Sequence, residues 1–351
     1  MRSPCLSLML LASVATLHAG SADGRLDLYW IDSEGGGSTL IVTPTGESVL
    51  IDAGNPGGRD SGRILKVATE VAGLKRIDHF INTHFHVDHF GGTAEVAAKL
   101  PIVNVWDNGL PAPDSDPDGN KASTWPLTSK PYRTMPVKER HVVKPGTKLP
   151  LGSGKTPISL QCVISRQNPW NPPAGSFGTW SGVEAPAARP VDTSDNANSS
   201  AWILSFGPFR FYDGGDVTWN SEAKLVWPEK KVPTVEVYQV THHGLDVSNH
   251  PLLIRALNPA VSVMNNGSTK GCMPAVVDTL RAQSSIRAQY QVHKNVRPDG
   301  AKGNAPDEMI ANLEANCQGH YIHCRVDADG RHYTIEIPAT GHSRTYATRV
   351  P

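Results

Sequence analysis

The spacing of apolar and polar positions divides the chain into two blocks in which predicted strands and helices alternate. In the stretch 60–71, for example, Ile64, Val67, Ala68 and Val71 share one face of a helix. The first block has predicted strands at 26–31, 38–43, 47–51 and 78–82, and predicted helices at 60–71 and 93–100. The second block has predicted strands at 201–206, 209–212, 234–240, 260–264 and 289–292, helices at 251–257 and 274–283, and a late hairpin at 321–326 and 332–337. We find no internal repeat, and the alternation predicts an α/β fold with mixed sheets.

Two stretches lack this periodicity and are predicted to be loop insertions. The first covers 107–130 and the second 167–198, which is rich in Pro, Gly, Ser and Asn. Long insertions of this kind often bind substrates, but they can equally be surface decoration. Both interpretations stay open on the sequence.

The first 22 residues have the order of a secretory signal. Met1 and Arg2 give a short basic start, an apolar stretch follows over 6–17, and small residues around Ala19 and Ala22 offer cleavage sites. The alternative is a buried N-terminal helix. We expect a signal peptide at 1–22 and a secreted or periplasmic protein with no membrane anchor after cleavage.

Composition and charge exclude a polybasic binder. The chain has 351 residues, with 33 basic and 33 acidic side chains and a formal net charge of +0. Nucleic acid stays possible as a partner, but the net charge does not support it, and a small molecule or phosphoester is the expected partner. The length permits one large domain or two ordinary ones.

The cysteines indicate no thiolate-rich metal site. Without Cys5 in the predicted signal, Cys162, Cys272, Cys317 and Cys324 remain, and none of them belongs to a CxxC motif. An even number in an exported chain permits two disulfides, and the short segment between Cys317 and Cys324 makes them the first expected pair. The alternative is reduced, buried cysteine.

The strongest chemical signal is the run His84, His86, Asp88 and His89, which directly follows an apolar strand. Imidazole and carboxylate groups on a loop that leaves a strand can converge on one point, and they are suitable ligands for Zn²⁺, Fe or Mn. The alternation predicts that His84 and His86 face one cation while Asp88 and His89 reach another. The alternative is a surface histidine cluster.

This run resembles the metallo-β-lactamase superfamily, and the later motifs follow in the matching order. The stretch 49–54 resembles the family's early strand that ends in Asp and Gly, which implies a supporting role behind the ligands for Asp52. The run 214–216 resembles the family's Gly-Asp, which implies that Asp216 bridges two metals. The resemblance covers roughly 25–340 and implies a four-layer αββα sandwich of two mixed β-sheets flanked by helices. Because ligands from 84 to 243 would meet at one site, we expect a single domain over 23–351.

Two departures point to one branch of that superfamily. Asn198 stands where many members have a third histidine, and His242 and His243 lie in a Thr-His-His-Gly run. The pattern is similar to the hydrolase domain of competence-type DNA-internalisation proteins and to phosphorylcholine esterases. By that resemblance His242 is the last metal ligand and His243 contacts substrate or shuttles a proton, although the two roles could be exchanged. A Gly-His-Pro motif of the branch is replaced here by Gly-Cys-Met-Pro, so its histidine is lost or its role passes to Cys272 or His293.

The resemblance implies a metal-activated hydroxide as the nucleophile, with one or two Zn²⁺ ions, or Mn²⁺ or Fe in their place. Asp88 and His243 are the catalytic candidates, and Asn198 is expected to line the site. Because Asn198 replaces a histidine, we expect one metal to be less tightly held.

Three functions remain compatible with the sequence. The first is an exported metal-dependent hydrolase of a phosphoester, most simply a phosphodiester. The second is an acyl hydrolase of the lactonase or β-lactamase kind. The third is a non-catalytic protein on the same fold, in which loop aromatics bind glycan or nucleic-acid bases. The aromatic residues considered for that role are Trp106, Trp125, Trp170 and Trp180.

Overall fold

The computed structural model describes residues 23–120, 124–152 and 154–349, so the predicted signal peptide at 1–22 lies outside the described residues. Within the described ranges the chain forms 17 strands and seven α-helices. The strands are β1 (Leu26–Trp30), β2 (Thr39–Val42), β3 (Ser48–Ile51), β4 (Ile77–Ile81), β5 (Ile102–Asp107), β6 (Glu139–Val142), β7 (Ile158–Ser165), β8 (Asn168–Pro169), β9 (Ala201–Phe206), β10 (Phe209–Asp213), β11 (Val237–Gln239), β12 (Val261–Met264), β13 (Ala288–His293), β14 (Ile310–Asn312), β15 (Ile322–Val326), β16 (His332–Ile337) and β17 (His342–Ala347). The helices are α1 (Arg59–Lys66), α2 (Val87–Phe90), α3 (Thr93–Ala97), α4 (Trp125–Thr134), α5 (Trp219–Lys224), α6 (Pro251–Leu257) and α7 (Pro274–Ala282).

Short helical turns of other types connect several of these elements. A π-helical turn at Val67–Val71 continues α1. Turns of 3₁₀ type occupy Asp195–Asn198, Thr241–Gly244, Ala301–Gly303 and Asp307–Met309.

The strands of the described residues form two mixed sheets. The first is nine-stranded, in the order β17-β16-β15-β1-β2-β3-β4-β5-β6, and the second is eight-stranded, in the order β14-β13-β12-β11-β10-β9-β7-β8. In the first sheet β3, β4, β5 and β6 are parallel neighbours. In the second sheet β10 to β14 are parallel neighbours. The predicted α/β class with mixed sheets is confirmed.

Three hydrophobic clusters separate four layers of secondary structure. The cluster between the sheets joins Trp30 of β1 to Trp202 and Phe211 of the second sheet, and the Trp30 and Phe211 rings meet edge to face at 5.6 Å. A second cluster packs Ile64 of α1 under the first sheet, and a third packs Leu253 of α6 under the second. Each large apolar side chain that is fully buried in this way contributes roughly 1.5–3 kcal/mol. The layering is the αββα sandwich that the motif resemblance implied.

The predicted loop insertion at 107–130 needs correction, because α4 begins inside it at Trp125. Pro126 stands in the first turn of this helix, and Pro131 lies inside it. The two prolines obscure the helical pattern in the sequence. The second insertion is irregular apart from β8 and the 3₁₀ turn Asp195–Asn198.

The expected Cys317–Cys324 disulfide is not formed, and all four cysteines of the described residues are free. Cys324 lies in the core between the sheets. Cys317 instead points toward Asp32, with its Sγ 3.1 Å from the carboxylate. Side chains that face different surroundings cannot be bridged without backbone movement.

In the described part of the chain, none of the helices combines the length and the apolar character needed to cross a bilayer.

Candidate metal centre

The chemical motifs lie where strands of both sheets end. His84, His86, Asp88 and His89 follow β4, and Asp216 follows β10. His242 and His243 follow β11 in a 3₁₀ turn. Strand ends provide loops that a rigid scaffold holds in place, which is why separated motifs can meet at one point.

Four imidazole rings direct their Nε2 atoms toward the carboxylate of Asp216. Its Oδ2 lies 3.2 Å from His89, 3.3 Å from His242 and 3.9 Å from His84. Its Oδ1 lies 3.4 Å from His243. Both rings therefore reach Asp216, but of the two His243 alone also belongs to a metal-compatible group of the described residues, together with Asp88 and His89. We refer to Asp216, the four histidines and Asp88 as the Asp216 centre.

The other ring nitrogen of each histidine contacts a fixed partner. His84 Nδ1 lies 3.1 Å from Thr83 Oγ1, and His89 Nδ1 lies 2.7 Å from Asp52 Oδ2. His242 Nδ1 lies 3.0 Å from Ser248 Oγ, and His243 Nδ1 lies 3.0 Å from the carbonyl oxygen of Asn265. Contacts of this kind set the ring orientation and leave Nε2 available to a ligand.

Asp52 supports the centre through three hydrogen bonds. Its Oδ1 accepts from the backbone N–H of Thr83 at 2.8 Å, and its Oδ2 accepts from Thr83 Oγ1 at 2.7 Å and from His89 Nδ1 at 2.7 Å. Gly37 packs against this pair so closely that an added Cβ would lie 2.7 Å from Asp52 Oδ2 and 2.8 Å from His89 Nδ1. Asp52 is thus placed behind His89, as the supporting role predicted for it requires.

Buried polar atoms without a partner show that the centre fits a cation. Among the described residues, the Nε2 atoms of His84, His89 and His243 and the Oδ1 of Asp216 are buried and lack a hydrogen-bond partner. Leaving such atoms unpaired costs free energy, and four of them around one point are explained by a bound ion. His84, His89 and Asp216 form one group of suitable spacing, and Asp88, His89 and His243 form another.

Burial and charge change the protonation of these groups. Burial lowers the pKa of His84 well below its usual value, and it lowers the pKa of His242 to about 4. Both rings are therefore neutral, which is the form that binds metals. Burial opposes ionisation of Asp216, but the nearby His242, His89 and His243 outweigh it and lower the pKa of Asp216 well below its usual range. Burial raises the pKa of Asp213, three residues earlier, to about 7.

Asp88 lies on the outer side of the centre and meets a lysine that the motif analysis did not identify. Its Oδ2 lies 3.6 Å from His89 Nε2 and 3.7 Å from His243 Nε2. The same oxygen lies 2.5 Å from the ammonium group of Lys270, which is 182 residues away in the chain and about one-third exposed. A positive charge therefore stands at the mouth of the site.

His86 is not brought into the two metal-compatible groups of the described residues. Its Nε2 lies 3.0 Å from both oxygens of Asp118, in the first insertion, and the ring is about one-quarter exposed. This arrangement differs from the expected division, which placed His84 and His86 on one cation. In the structure His84 groups with His89 and Asp216, and His89 also belongs to the second group. In this arrangement the Nε2 of His86 contacts the Asp118 carboxylate.

The second insertion contributes Asn196 rather than Asn198 to the histidines. Asn196 Nδ2 lies 3.4 Å from His242 Nε2. The side chain of Asn198 donates to Asp195 Oδ1 at 3.0 Å, and Asp195 Oδ2 accepts from the backbone N–H of Phe85 at 2.6 Å. Asn198 is thus linked to the loop that carries His84 through Asp195.

A cavity of about 390 Å³ adjoins the centre at Asn196. Its walls include Arg189, Trp219 and Val247, and the Arg189 guanidinium lies 3.6 Å from the centroid of the Trp219 ring. The second insertion therefore forms part of a pocket beside the histidines.

Two of the aromatic residues considered for glycan or base binding are unavailable. Trp106 and Trp125 are buried in hydrophobic clusters. The Trp180 indole N–H donates to the carbonyl oxygen of Val226 at 2.6 Å.

Comparison with known proteins agrees with the fold. The family model of the metallo-beta-lactamase superfamily matches residues 32–163, which contain Asp52 and the run from His84 to His89. This confirms the predicted resemblance at the level of the superfamily, whereas the competence-type branch stays a prediction. The two mixed sheets with flanking helices are consistent with the metallo-β-lactamase fold, and the site is a histidine and aspartate centre suited to divalent cations.

The individual proteins to which the chain is similar match it at low identity or over part of their length. The chain is 35% identical over 97 residues to a UPF0173 metal-dependent hydrolase of Polynucleobacter asymbioticus, and the match covers 26% of this chain and 32% of that protein. The chain is also similar to CmlA, a diiron β-hydroxylase from Streptomyces venezuelae, with 15% identity, a TM-score of 0.44 and coverage of 77% of this chain and 53% of CmlA. A diphosphatase from the PhnP family is similar at 13% identity, with a TM-score of 0.37 and coverage of 69% and 87%.

Proposed function

We propose that the chain is a metal-dependent hydrolase that acts on a phosphoester, with phosphodiesters as the first class to test. One observation supports this above all others. Four histidine Nε2 atoms converge on the Asp216 carboxylate, and several of the atoms that meet there are buried without a partner.

The residues of the Asp216 centre would hold one or two divalent cations, with Zn²⁺ as the first choice and Mn²⁺ or Fe as alternatives. When bound, such a cation supplies Lewis acidity and lowers the pKa of water at the site. Thr83, Asp52, Ser248 and the Asn265 carbonyl oxygen hold the rings in place. Asp216 brings negative charge to the middle of the group, which would offset the positive charge of a bound cation.

The choice of a phosphoester rests on the positive groups around the centre and on the motif resemblance. Lys270 lies at the mouth of the site beside Asp88, and Arg189 lies in the wall of the adjoining cavity. The positive side chains of Lys270 and Arg189 can bind the oxygens of an anionic substrate, although the chain as a whole has a formal net charge of +0. Asn198 and the His242–His243 pair support the competence-type and phosphorylcholine esterase-like branch.

The test is hydrolysis of bis-p-nitrophenyl phosphate by the purified protein with added Zn²⁺ or Mn²⁺. We expect metal-dependent turnover that Asp216→Asn abolishes. The matched control is Asp27→Asn, because Asp27 also pairs with a histidine, His323, at 2.7 Å but belongs to β1 outside the centre. Turnover of nitrocefin or a lactone with no phosphoester turnover would favour the acyl hydrolase. Bound metal without any turnover would favour a non-catalytic protein.

We also propose that the protein is exported, on the basis of the residue pattern at 1–22. Mass spectrometry of the mature protein from the periplasm or medium should find an N-terminus near 20–23. Recovery of uncleaved protein from the cytoplasm alone would contradict this.

A further inference from the structure

A second group of metal-binding residue types lies outside the Asp216 centre. It joins Asp32 and Glu34, which follow β1, to His293 at the end of β13 and to Cys317 after β14. We call these four residues the Cys317 cluster. Asp32 and His293 are fully buried, and Glu34 and Cys317 are partly buried. The cluster connects a loop of the first sheet to a strand of the second.

The ligand atoms of the Cys317 cluster lie within 4.8 Å of one another, which is close enough for them to share one small cation. His293 Nε2 lies 3.1 Å from the Asp32 carboxylate and 3.6 Å from that of Glu34. Cys317 Sγ lies 3.1 Å from Asp32 Oδ2, 3.7 Å from Glu34 Oε1 and 3.5 Å from His293 Nε2. In a tetrahedral Zn²⁺ site with bonds of about 2.0–2.3 Å, nitrogen and oxygen ligands are separated by roughly 3.3 Å, and sulfur is separated from either by roughly 3.5 Å. The observed distances of 3.1–3.7 Å lie within about 0.4 Å of these values.

The backbone of Glu34 is strained at the point where it places the side chain in the Cys317 cluster. Glu34 has a φ of 55°, in the left-handed region that side chains other than glycine rarely adopt. Such a conformation costs roughly 1–3 kcal/mol and persists where the surroundings hold it in place. The strain is explained if the carboxylate is needed at this point.

Arg63 is the additional charged group that faces the Cys317 cluster. Its Nη1 lies 2.8 Å from Asp32 Oδ2 and 3.3 Å from Glu34 Oε1, and its Nη2 lies 3.4 Å from Cys317 Sγ. A guanidinium only donates hydrogen bonds, so it offsets carboxylate charge without providing a ligand. The competing arrangement is a closed ion-pair network in which Arg63 and a protonated His293 balance the two carboxylates.

We propose that the Cys317 cluster is a second metal site, which binds a divalent cation of the zinc class through one sulfur, one nitrogen and two oxygen atoms. A thiolate ligand disfavours Mg²⁺ and Ca²⁺, which prefer oxygen, and favours Zn²⁺ or a similar transition metal. Four protein ligands complete the shell of Zn²⁺, so the site is structural rather than catalytic. The spacing of the cysteines did not indicate it, because Cys317 and Asp32 are 285 residues apart in the chain.

Charge balance permits a divalent cation to replace protons in the Cys317 cluster. The two carboxylates, a Cys317 thiolate, the cation and Arg63 together have no net charge, provided that His293 is neutral. Without the cation, a thiol at Cys317 and a protonated His293 reach the same balance. Binding therefore replaces two protons with one divalent cation, as is usual for cysteine and histidine ligands.

The site would stabilise the loop that also touches the Asp216 centre. Gly37 lies three residues after Glu34 in the same loop, and its backbone N–H donates to the carbonyl oxygen of Asp88 at 3.0 Å. A cation that binds to the folded state alone raises the free energy of unfolding by mass action. We therefore expect its removal to lower stability and to loosen the loop beside Asp88.

Cobalt titration tests the proposal, because sulfur bound to Co²⁺ gives a charge-transfer band in the near ultraviolet. Among the described residues, the Asp216 centre contains no cysteine, so this band reports on the Cys317 cluster alone. The full-length protein is stripped with a chelator and titrated with Co²⁺, and metal content is measured in parallel by mass spectrometry. The variants are Cys317→Ser, His84→Ala and, as a control on a cysteine outside the Cys317 cluster, Cys272→Ala, each checked for folding by circular dichroism.

We expect the band in the wild type, in His84→Ala and in Cys272→Ala, and its loss in Cys317→Ser together with one metal ion per chain. Wild-type protein without a band, or a band that survives in Cys317→Ser, would overturn the proposal in favour of the ion-pair network. If Cys317→Ser does not fold, X-ray absorption at the zinc edge of the wild type decides: a Zn–S distance of about 2.3 Å supports the site, and nitrogen and oxygen neighbours alone refute it. Loss of the phosphoester activity proposed above leaves these outcomes unchanged.

Discussion

Replacing Asp52 by Asn should weaken metal binding without removing any proposed ligand. The wild-type carboxylate accepts hydrogen bonds at 2.8, 2.7 and 2.7 Å from the Thr83 N–H, Thr83 Oγ1 and His89 Nδ1. An amide keeps one acceptor oxygen, and its NH₂ group replaces the oxygen that faces Thr83 Oγ1 and His89. The His89 ring is then favoured in the tautomer that has its proton on Nε2, the atom that faces Asp216. A protonated nitrogen cannot bind a cation.

The magnitude follows from the loss of one such supporting contact. Removing the partner behind a metal-binding histidine lowers affinity by about 10–100-fold, which corresponds to about 1.4–2.8 kcal/mol. Competition with a chelator for Zn²⁺ measures the change directly. Asp27→Asn is the matched control, because it alters a part-buried pair with His323 at the same 2.7 Å but does not touch the centre. Equal zinc affinity in Asp52→Asn and wild type, or an equal loss in the control, would refute the argument that Asp52 holds His89 in its metal-binding form.

Three further predictions concern other parts of the structure. Gly37→Ala should lower zinc affinity by about tenfold or more in the same competition assay, because the new Cβ would meet Asp52 and His89. Gly62→Ala, which meets open space on α1, should leave affinity unchanged and stabilise the helix by about 1 kcal/mol. Lys270→Met should raise KM for a phosphodiester by about 10–100-fold with a smaller change in kcat, since one charged hydrogen bond is lost; an unchanged KM would show that Lys270 does not contact substrate. Burial raises the pKa of Glu222 from 4.5 to about 7, so the folded state binds the extra proton and stability falls as pH rises through this interval. Glu222→Gln should remove that loss and be more stable than wild type by up to about 3 kcal/mol above pH 7, and urea unfolding that shows the same difference at pH 5 and pH 8 would contradict it.

The layers of the fold could be predicted because most strands are short apolar runs that end at turn residues. The strand at 201–206, the helix at 251–257 and the strand at 332–337 have the predicted bounds. The edge strand β6, Glu139–Val142, could not be predicted because its residues are partly or fully exposed. Without a buried face it has no hydrophobic period.

The candidate site likewise contains residues that the sequence predicts and residues that it does not. The motif residues that converge on Asp216 were identifiable because each run follows a strand, and the ends of neighbouring strands meet. Lys270, Asp118 and Asn196 were not identified, since they lie on loops that tertiary packing alone brings to the site. The Cys317 cluster was invisible for the same reason, because its ligands come from three distant segments.

Anomalous diffraction from crystals grown with Zn²⁺ tests the central claim most directly. We expect an anomalous peak bonded to the Asp216 carboxylate and to the Nε2 atoms of at least two among His84, His89, His242 and His243. A zinc-loaded crystal without a peak within bonding distance of Asp216 would contradict it.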